Sequence, residues 1–225
     1  MSFYDEFSKY YNDIFPLDKN LADSLVMGQK IKNILDIGCA TGEYAKYFSR
    51  QGYIVDAFDL SKQMIDISVQ DNPHNVNFFV SNMITYKRKK SYDLIYCIGS
   101  TIAHINTKEN LKKFIKNSYD NLREKGVIKI KSLDYMFLFN NGINRLEDLV
   151  SANQEVILKR NFEFSNTDVL FKTTLVTKEK TYNSITKLML LSRRILEDVL
   201  LELNISNYSF GEDKRTIFLT ITKNI

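Results

Sequence analysis

The stretch NILDIGCATGEY, residues 33–44, holds the residues best suited to do chemistry. A short apolar run ends on an acid and enters a turn framed by Gly38 and Gly42, two of only eight glycines in the chain. Glycine at a strand-to-helix turn permits positive φ and lets the backbone approach a ligand with no Cβ in the way. Asp59 ends the next apolar run, 21 positions after Gly38. In an open α/β sheet, an acid there suits a two-point grip on vicinal ribose hydroxyls. The dinucleotide fingerprint G-x-G-x-x-G is broken by Cys39-Ala40-Thr41, and no Gly-Lys-Ser/Thr follows to make a phosphate loop. A turn that merely reverses the chain is the plainer alternative, and Asp59 weighs against it. Farther along stand Ser100, Thr101 and His104, the last being one of two histidines. His104 is a candidate proton acceptor or substrate-positioning group, with a structural histidine as the alternative.

Such a site needs a scaffold that aims strand ends at one edge. KNILDI (32–37), YIVDAFDL (53–60), VNFFVS (76–81), YDLIYCIGS (92–100) and GVIKIKSL (126–133) read as buried strands. Between them lie helical stretches: EYAKYFSRQG closed by Gly52, SKQMIDISVQD opened by Ser61 as N-cap, and 107–124 starting at Thr107. This alternation predicts an α/β fold with a parallel, doubly wound sheet. Ahead of it, residues 1–30 place Phe3, Tyr4, Phe7, Tyr10, Tyr11, Ile14 and Phe15 at helical spacing until Pro16, which predicts a helical lid. Tyr10 and Tyr11 would cover the reacting atoms or simply pack on the sheet. After residue 134, QEVILKRNFEF, DVLFKTTLVTK and KTYNSITKLMLL predict an antiparallel sheet over 152–191. It reads as a substrate cap grafted into a single domain of 1–225. The helix SRRILEDVLLELN and two short strands, NYSF and RTIFLTITK, finish the chain.

Composition bounds the rest. With 44% hydrophobic and 26% charged residues, the 225-residue chain reads as a soluble globular protein. The net charge of +4, from 31 basic and 27 acidic residues, gives little support for a nucleic-acid or anionic-membrane partner. No apolar run nears the ~18–20 residues of a membrane span. FYDEFSKYY stands where a secretory signal would be apolar, and Cys39 and Cys97 are the only cysteines, so a reducing cytoplasm is expected. No recognisable metal-ligand set appears. The basic run KRKK (87–90) precedes the fourth strand, at the amino edge of the sheet, where a solvated loop is expected rather than a nucleic-acid patch.

LDIGCATG, the acid in DAFDLS, and Met64 together resemble the S-adenosylmethionine site of the Rossmann-like, class I methyltransferases. YDEFSKYYNDIF resembles their lead-in, FFVSNMITY their third-strand motif, and SRRILEDVLLELNISNYSF their late helix and strand. The resemblance implies a mostly parallel seven-stranded sheet with an antiparallel β insertion after the fifth strand. It also implies S-adenosyl-L-methionine as cofactor. Gly38, Cys39, Ala40 and Gly42 would then line its methionine moiety, with Ile98 nearby. Asp59 would hold the ribose, Leu60 and Met64 would pack the adenine, and Asn82 and Met83 would face the adenine edge. CIGSTIAHINT resembles the segment after the fourth strand in glycine/sarcosine N-methyltransferases and amino-sugar N,N-dimethyltransferases. That implies in-line methyl transfer to a small acceptor, at an amine nitrogen, met by Tyr10, Tyr11, Ser100, Thr101 and Tyr135. Ser100 departs from the glycine enzymes, which carry Asn there to bind the substrate carboxylate. An RNA or protein acceptor, or a catalytically silent cofactor-binding module, is the alternative reading.

Overall fold

The computed structural model describes residues 3–28, 30–71, 73–89 and 91–224, with side chains from Glu6 onward. Phe3 and Tyr4 of the expected lid stripe and Lys90 of the basic run therefore lie outside the described side chains. Five parallel strands form the centre: β1 (Asn33–Ile37), β2 (Ile54–Asp59), β3 (Val76–Val80), β4 (Tyr92–Cys97) and β5 (Leu122–Leu133). With β10 (Tyr208–Phe210) and β11 (Thr216–Thr222) they make a seven-stranded sheet in the order β3-β2-β1-β4-β5-β11-β10, and β11 pairs antiparallel to both neighbours. The strand order reverses between β1 and β4, so their carboxyl ends open a crevice where α/β sheets bind ligands.

Strands buried on both faces explain the unbroken apolar runs. On one face Ile34, Leu94, Tyr96 and Val127 pack with Ala22 and Leu25 of α2 (Lys19–Val26) and with Ala45 and Phe48 of α3 (Glu43–Arg50). On the other, Leu35, Ile95 and Ile128 pack with Leu111 and Phe114 of α5 (Lys108–Asn121) and with Leu196 and Leu200 of α7 (Arg193–Glu202). Ser61 caps α4 (Lys62–Ser68) and Thr107 caps α5, as expected: each side-chain oxygen accepts the amide three residues on. Helix α1 (Phe3–Ile14) ends just before Pro16.

Three elements differ from expectation. Helix α5 stops at Asn121 rather than 124, because residues 122–125 already join β5, where Leu122 pairs with Tyr92 before a register shift. Tyr135 does not end β5; it opens α6 (Tyr135–Asn140), whose cap Asp134 accepts the Phe137 amide. The second sheet starts earlier than 152. It comprises β6 (Arg145–Val150), β7 (Ile157–Phe164), β8 (Asp168–Val176) and β9 (Thr181–Met189), all antiparallel in sequence order. Among the described residues no helix is long and apolar enough to cross a membrane.

Candidate functional site

The turn after β1 adopts positive φ at Gly38 (75°), Ala40 (49°) and Gly42 (82°). Its glycines are also demanded by packing. A Cβ at Gly38 would stand 2.4 Å from Thr101 Cγ2, and one at Gly42 2.5 Å from the Phe78 ring. Asp59 is tied to the same turn: its Oδ2 accepts the Ala40 amide at 3.0 Å and its Oδ1 the Ser61 amide at 2.9 Å. Each carboxylate oxygen keeps a further acceptor site for a diol.

Beside the turn lies a cavity of about 370 Å³, lined among others by Tyr11, Phe15, Asp36, Cys39, Ile98 and Lys131. Asp36 is a site residue that the sequence reading named only as the acid closing a strand. It is 2% exposed and lies across from Tyr96 in the β1–β4 register. Burial pushes its carboxyl up to about 7, with Asp59 adding to the rise and the Tyr96 hydroxyl opposing it. That hydroxyl is itself buried and, among the described residues, completes no hydrogen bond of ordinary length. A buried acid bordering a cavity suits a polar, cationic ligand group better than it suits an empty core. Burial likewise drives the Cys39 thiol up, which disfavours the reactive thiolate.

Helix α1 closes over this turn. The Thr41 hydroxyl donates to Asn12 Oδ1. Burial raises the Tyr11 phenol, and Asp59 and Asp36 raise it further; Tyr11 and Asp36 line the same cavity. Phe7, Ala40 and Met64 share one apolar cluster with Leu158 and Leu175 of the second sheet and with Val156 just before β7, and Tyr10 packs against it. Helix, turn and second sheet therefore meet above the carboxyl edge.

The residues expected to meet the acceptor are more engaged than anticipated. Ser100, at φ 66°, accepts the Leu133 amide on its Oγ at 3.1 Å and adjoins the Tyr135 hydroxyl. Tyr135 is 2% exposed, its phenol pushed up to about 12 by burial and eased down by Ser100. Thr101 donates to the Ile98 carbonyl at 2.9 Å and packs on Gly38, so it braces the loop. His104 ends a 3-10 helix, Thr101–His104, that β9 overlies. Its ring is open to water yet flanked by enough protein that desolvation lowers its pKa, with Asp59 opposing. Such an imidazole is neutral at pH 7. Neither Tyr10 nor His104 lines the cavity, whereas Tyr11 and Ser100 do.

At the expected adenine end, Met64 is buried and Met83 half-buried, but Leu60 is 71% exposed. The exposed Asn82 spends its Oδ1 on the Ile84 amide at 2.8 Å, closing a local turn. The basic run sits at the opposite edge. Arg88 pairs with Asp56 at 2.6 Å beside Tyr92, above the amino ends of β1, β2 and β4.

The comparisons agree with this geometry. Residues 34–126 match the family model of a methyltransferase domain. A ubiquinone biosynthesis O-methyltransferase of Rickettsia canadensis is 27% identical over 59% of this chain and 49% of its own length. A malonyl-[acyl-carrier protein] O-methyltransferase of Ilyobacter polytropus is 27% identical over 69% of this chain and 71% of its own. The chain thus spans about half the length of the first relative and more of the second. Among solved structures, an S-adenosylmethionine-dependent methyltransferase from Clostridium acetobutylicum superposes with a TM-score of 0.78 at 16% identity, covering 99% of both chains. The sugar N-methyltransferase KedS8 from Streptoalloteichus gives 0.76 at 14% identity, over 98% of this chain and 93% of that one. CalS10, an amino pentose methyltransferase from Micromonospora echinaspora, gives 0.74 at 13% identity over 97% and 96%. Residues 34–126 thus match a methyltransferase domain, and the whole chain has the fold of these S-adenosylmethionine-dependent methyltransferases.

Proposed function

We propose that the protein transfers a methyl group from S-adenosylmethionine to a small-molecule acceptor, at an amine nitrogen, by in-line displacement. The observation that carries this reading is the Asp59-anchored glycine turn standing beside a cavity lined by buried Asp36. In this reading Asp59 takes the ribose hydroxyls, the turn lines the methionine moiety, and Asp36 takes the ammonium. Residues 1–30 act as a lid and the second sheet as a substrate cap within one domain. The cofactor supplies, when bound, a methyl group already activated on a sulfonium. The chain's own residues then align the acceptor and exclude water. Tyr11 and Met64 cover the turn, and neutral His104 accepts the proton that the amine gives up. Enclosure from above by α1 and the second sheet favours a small acceptor over RNA or protein. Two buried, free cysteines suit a reducing cytoplasm.

A hydroxyl acceptor is the second reading, favoured by the O-methyltransferase names of the sequence relatives. Incubation with methyl-labelled S-adenosylmethionine and a panel of amino sugars, small amines and hydroxylated acids separates the two. Label is expected in an amine. His104→Ala should lower kcat/KM for it by about 10²-fold while leaving cofactor affinity unchanged. Label in RNA or protein alone, or in no acceptor, would overturn the proposal.

A further inference from the structure

Strand β5 lies between β4 and β11 in the sheet, yet two lysines interrupt the apolar run of its GVIKIKSL segment. Strands buried on both faces are ordinarily apolar throughout, so each lysine needs a reason. Period-two alternation puts Lys129 and Lys131 on the face of Val127, which packs toward α2 and α3. Lys129 has its reason: its Nζ donates at 2.8 Å to the Ser24 carbonyl, in the last turn of α2. Lys131, half-buried one step nearer the carboxyl edge, has no such partner. Among the described residues its ammonium makes no hydrogen bond and no ion pair.

The register says what Lys131 faces. Asp36 is the partner of Tyr96, and Tyr96 of Lys129, in one row across β1, β4 and β5. The next row outward on this face is Gly38, Ile98 and Lys131, and all three line the cavity together with Asp36. The Ser100 amide donates to the Lys131 carbonyl at 3.3 Å, which ties the strand ends together there. Lys131 is the only lysine, arginine or histidine among the described residues lining the cavity, and Asp36 and Glu43 are its carboxylates. Glu43 is taken by Lys46 at 3.4 Å. Asp36 lies two strands from Lys131, about 10 Å across the sheet, and no cation is among the groups that shift its carboxyl. One acid and one base thus line a single cavity without neutralising each other. That pattern suits a ligand carrying both charges.

We propose that Lys131 holds the carboxylate at the amino-acid end of the cofactor, opposite the ammonium that Asp36 takes. This rests on the methyl-transfer reading above and deepens it by one residue. S-adenosylmethionine brings a sulfonium and an ammonium into the cavity, where Lys131 adds a third positive charge. The carboxylate of the same ligand offsets that charge at contact distance. The lysine ammonium meets it as a compact charge with three donors, on a flexible stem that follows the ligand. Lys131 thereby makes the site selective for a zwitterionic ligand over its decarboxylated form.

Calorimetry with S-adenosylhomocysteine and its decarboxylated analogue, on the wild type and Lys131→Met, forms the test. Removing the carboxylate from the ligand should cost the wild type about tenfold or more in affinity. It should cost Lys131→Met less than about twofold, because the variant has already lost the same contact. Lys131→Arg, which keeps the charge, should show an intermediate loss. Methionine keeps an unbranched stem and removes an unpaired charge, so the fold is preserved. Lys131→Gln is a second neutral variant, and thermal unfolding of each without ligand checks its folding. Equal losses in the wild type and in the neutral variants would overturn the proposal and leave Lys131 reaching for water or for the acceptor. Failure of the wild type to bind either ligand would instead overturn the methyl-transfer reading, and this assignment with it.

Discussion

Replacing Asp59 with Ala should damage the protein in two separable ways. The carboxylate accepts the Ala40 amide at 3.0 Å and the Ser61 amide at 2.9 Å, and hydrogen bonds to a charged group contribute about 1.5–3 kcal/mol each. Asp59 is only half-buried, so water recovers part of that, and a net loss of about 1.5–3 kcal/mol is expected. For a chain of this size that lowers Tm by about 3–12 °C. Cofactor affinity should fall as well, but a loosened turn would lower it even if Asp59 never touched the ribose. The decisive assay is a calorimetric cycle: wild type and Asp59→Ala, each titrated with S-adenosylhomocysteine and with its 2′-deoxy analogue. Deleting the hydroxyl should cost the wild type about tenfold and the variant almost nothing, a coupling of about 1.4 kcal/mol. Equal losses in both proteins would refute the ribose grip and leave Asp59 as a brace of the turn.

Gly42→Ala should destabilise by about 2–4 kcal/mol, since it sets a side chain at φ 82° and 2.5 Å from the Phe78 ring. A shift in denaturant midpoint worth less than about 0.5 kcal/mol would show that packing does not require this glycine. Asp36 predicts a pH dependence. Its folded carboxyl titrates near 7 against an ordinary 3.8, so its contribution is full below about pH 4 and is lost as pH rises through about 7. Asp36→Asn, a permanently neutral mimic, should match the wild type near pH 4 and exceed its stability above pH 7 by up to about 4 kcal/mol. Unfolding midpoints that differ equally at both pH values would refute this.

Much of the scaffold was legible because its signals are local. Buried parallel strands show as unbroken apolar runs, Ser61 and Thr107 announce helix starts, and Pro16 ends α1 through its missing donor. Glycines at a strand-to-helix turn followed by an acid one strand later pointed to the ligand edge. What stayed hidden depends on partners distant in sequence. Asp36 looks like any strand-end acid until the register sets it opposite Tyr96 and α1 covers the cavity. Tyr135 looked like the end of a strand because YMFLFN is aromatic and apolar. Only the Asp134 cap turns it into a helix. RLEDLV alternates weakly and pairs through a bulge, so β6 fell below notice. Ser100 and Thr101 read as substrate ligands, yet their hydroxyls serve Leu133 and Ile98.

The central claim is that the glycine turn and Asp59 form an S-adenosylmethionine site. Calorimetric titration of the wild-type protein with S-adenosylhomocysteine, in competition with NADH, tests it most directly. The account predicts one-to-one binding of S-adenosylhomocysteine that S-adenosylmethionine displaces and NADH does not. Failure to bind it, or tighter binding of NADH, would contradict the account.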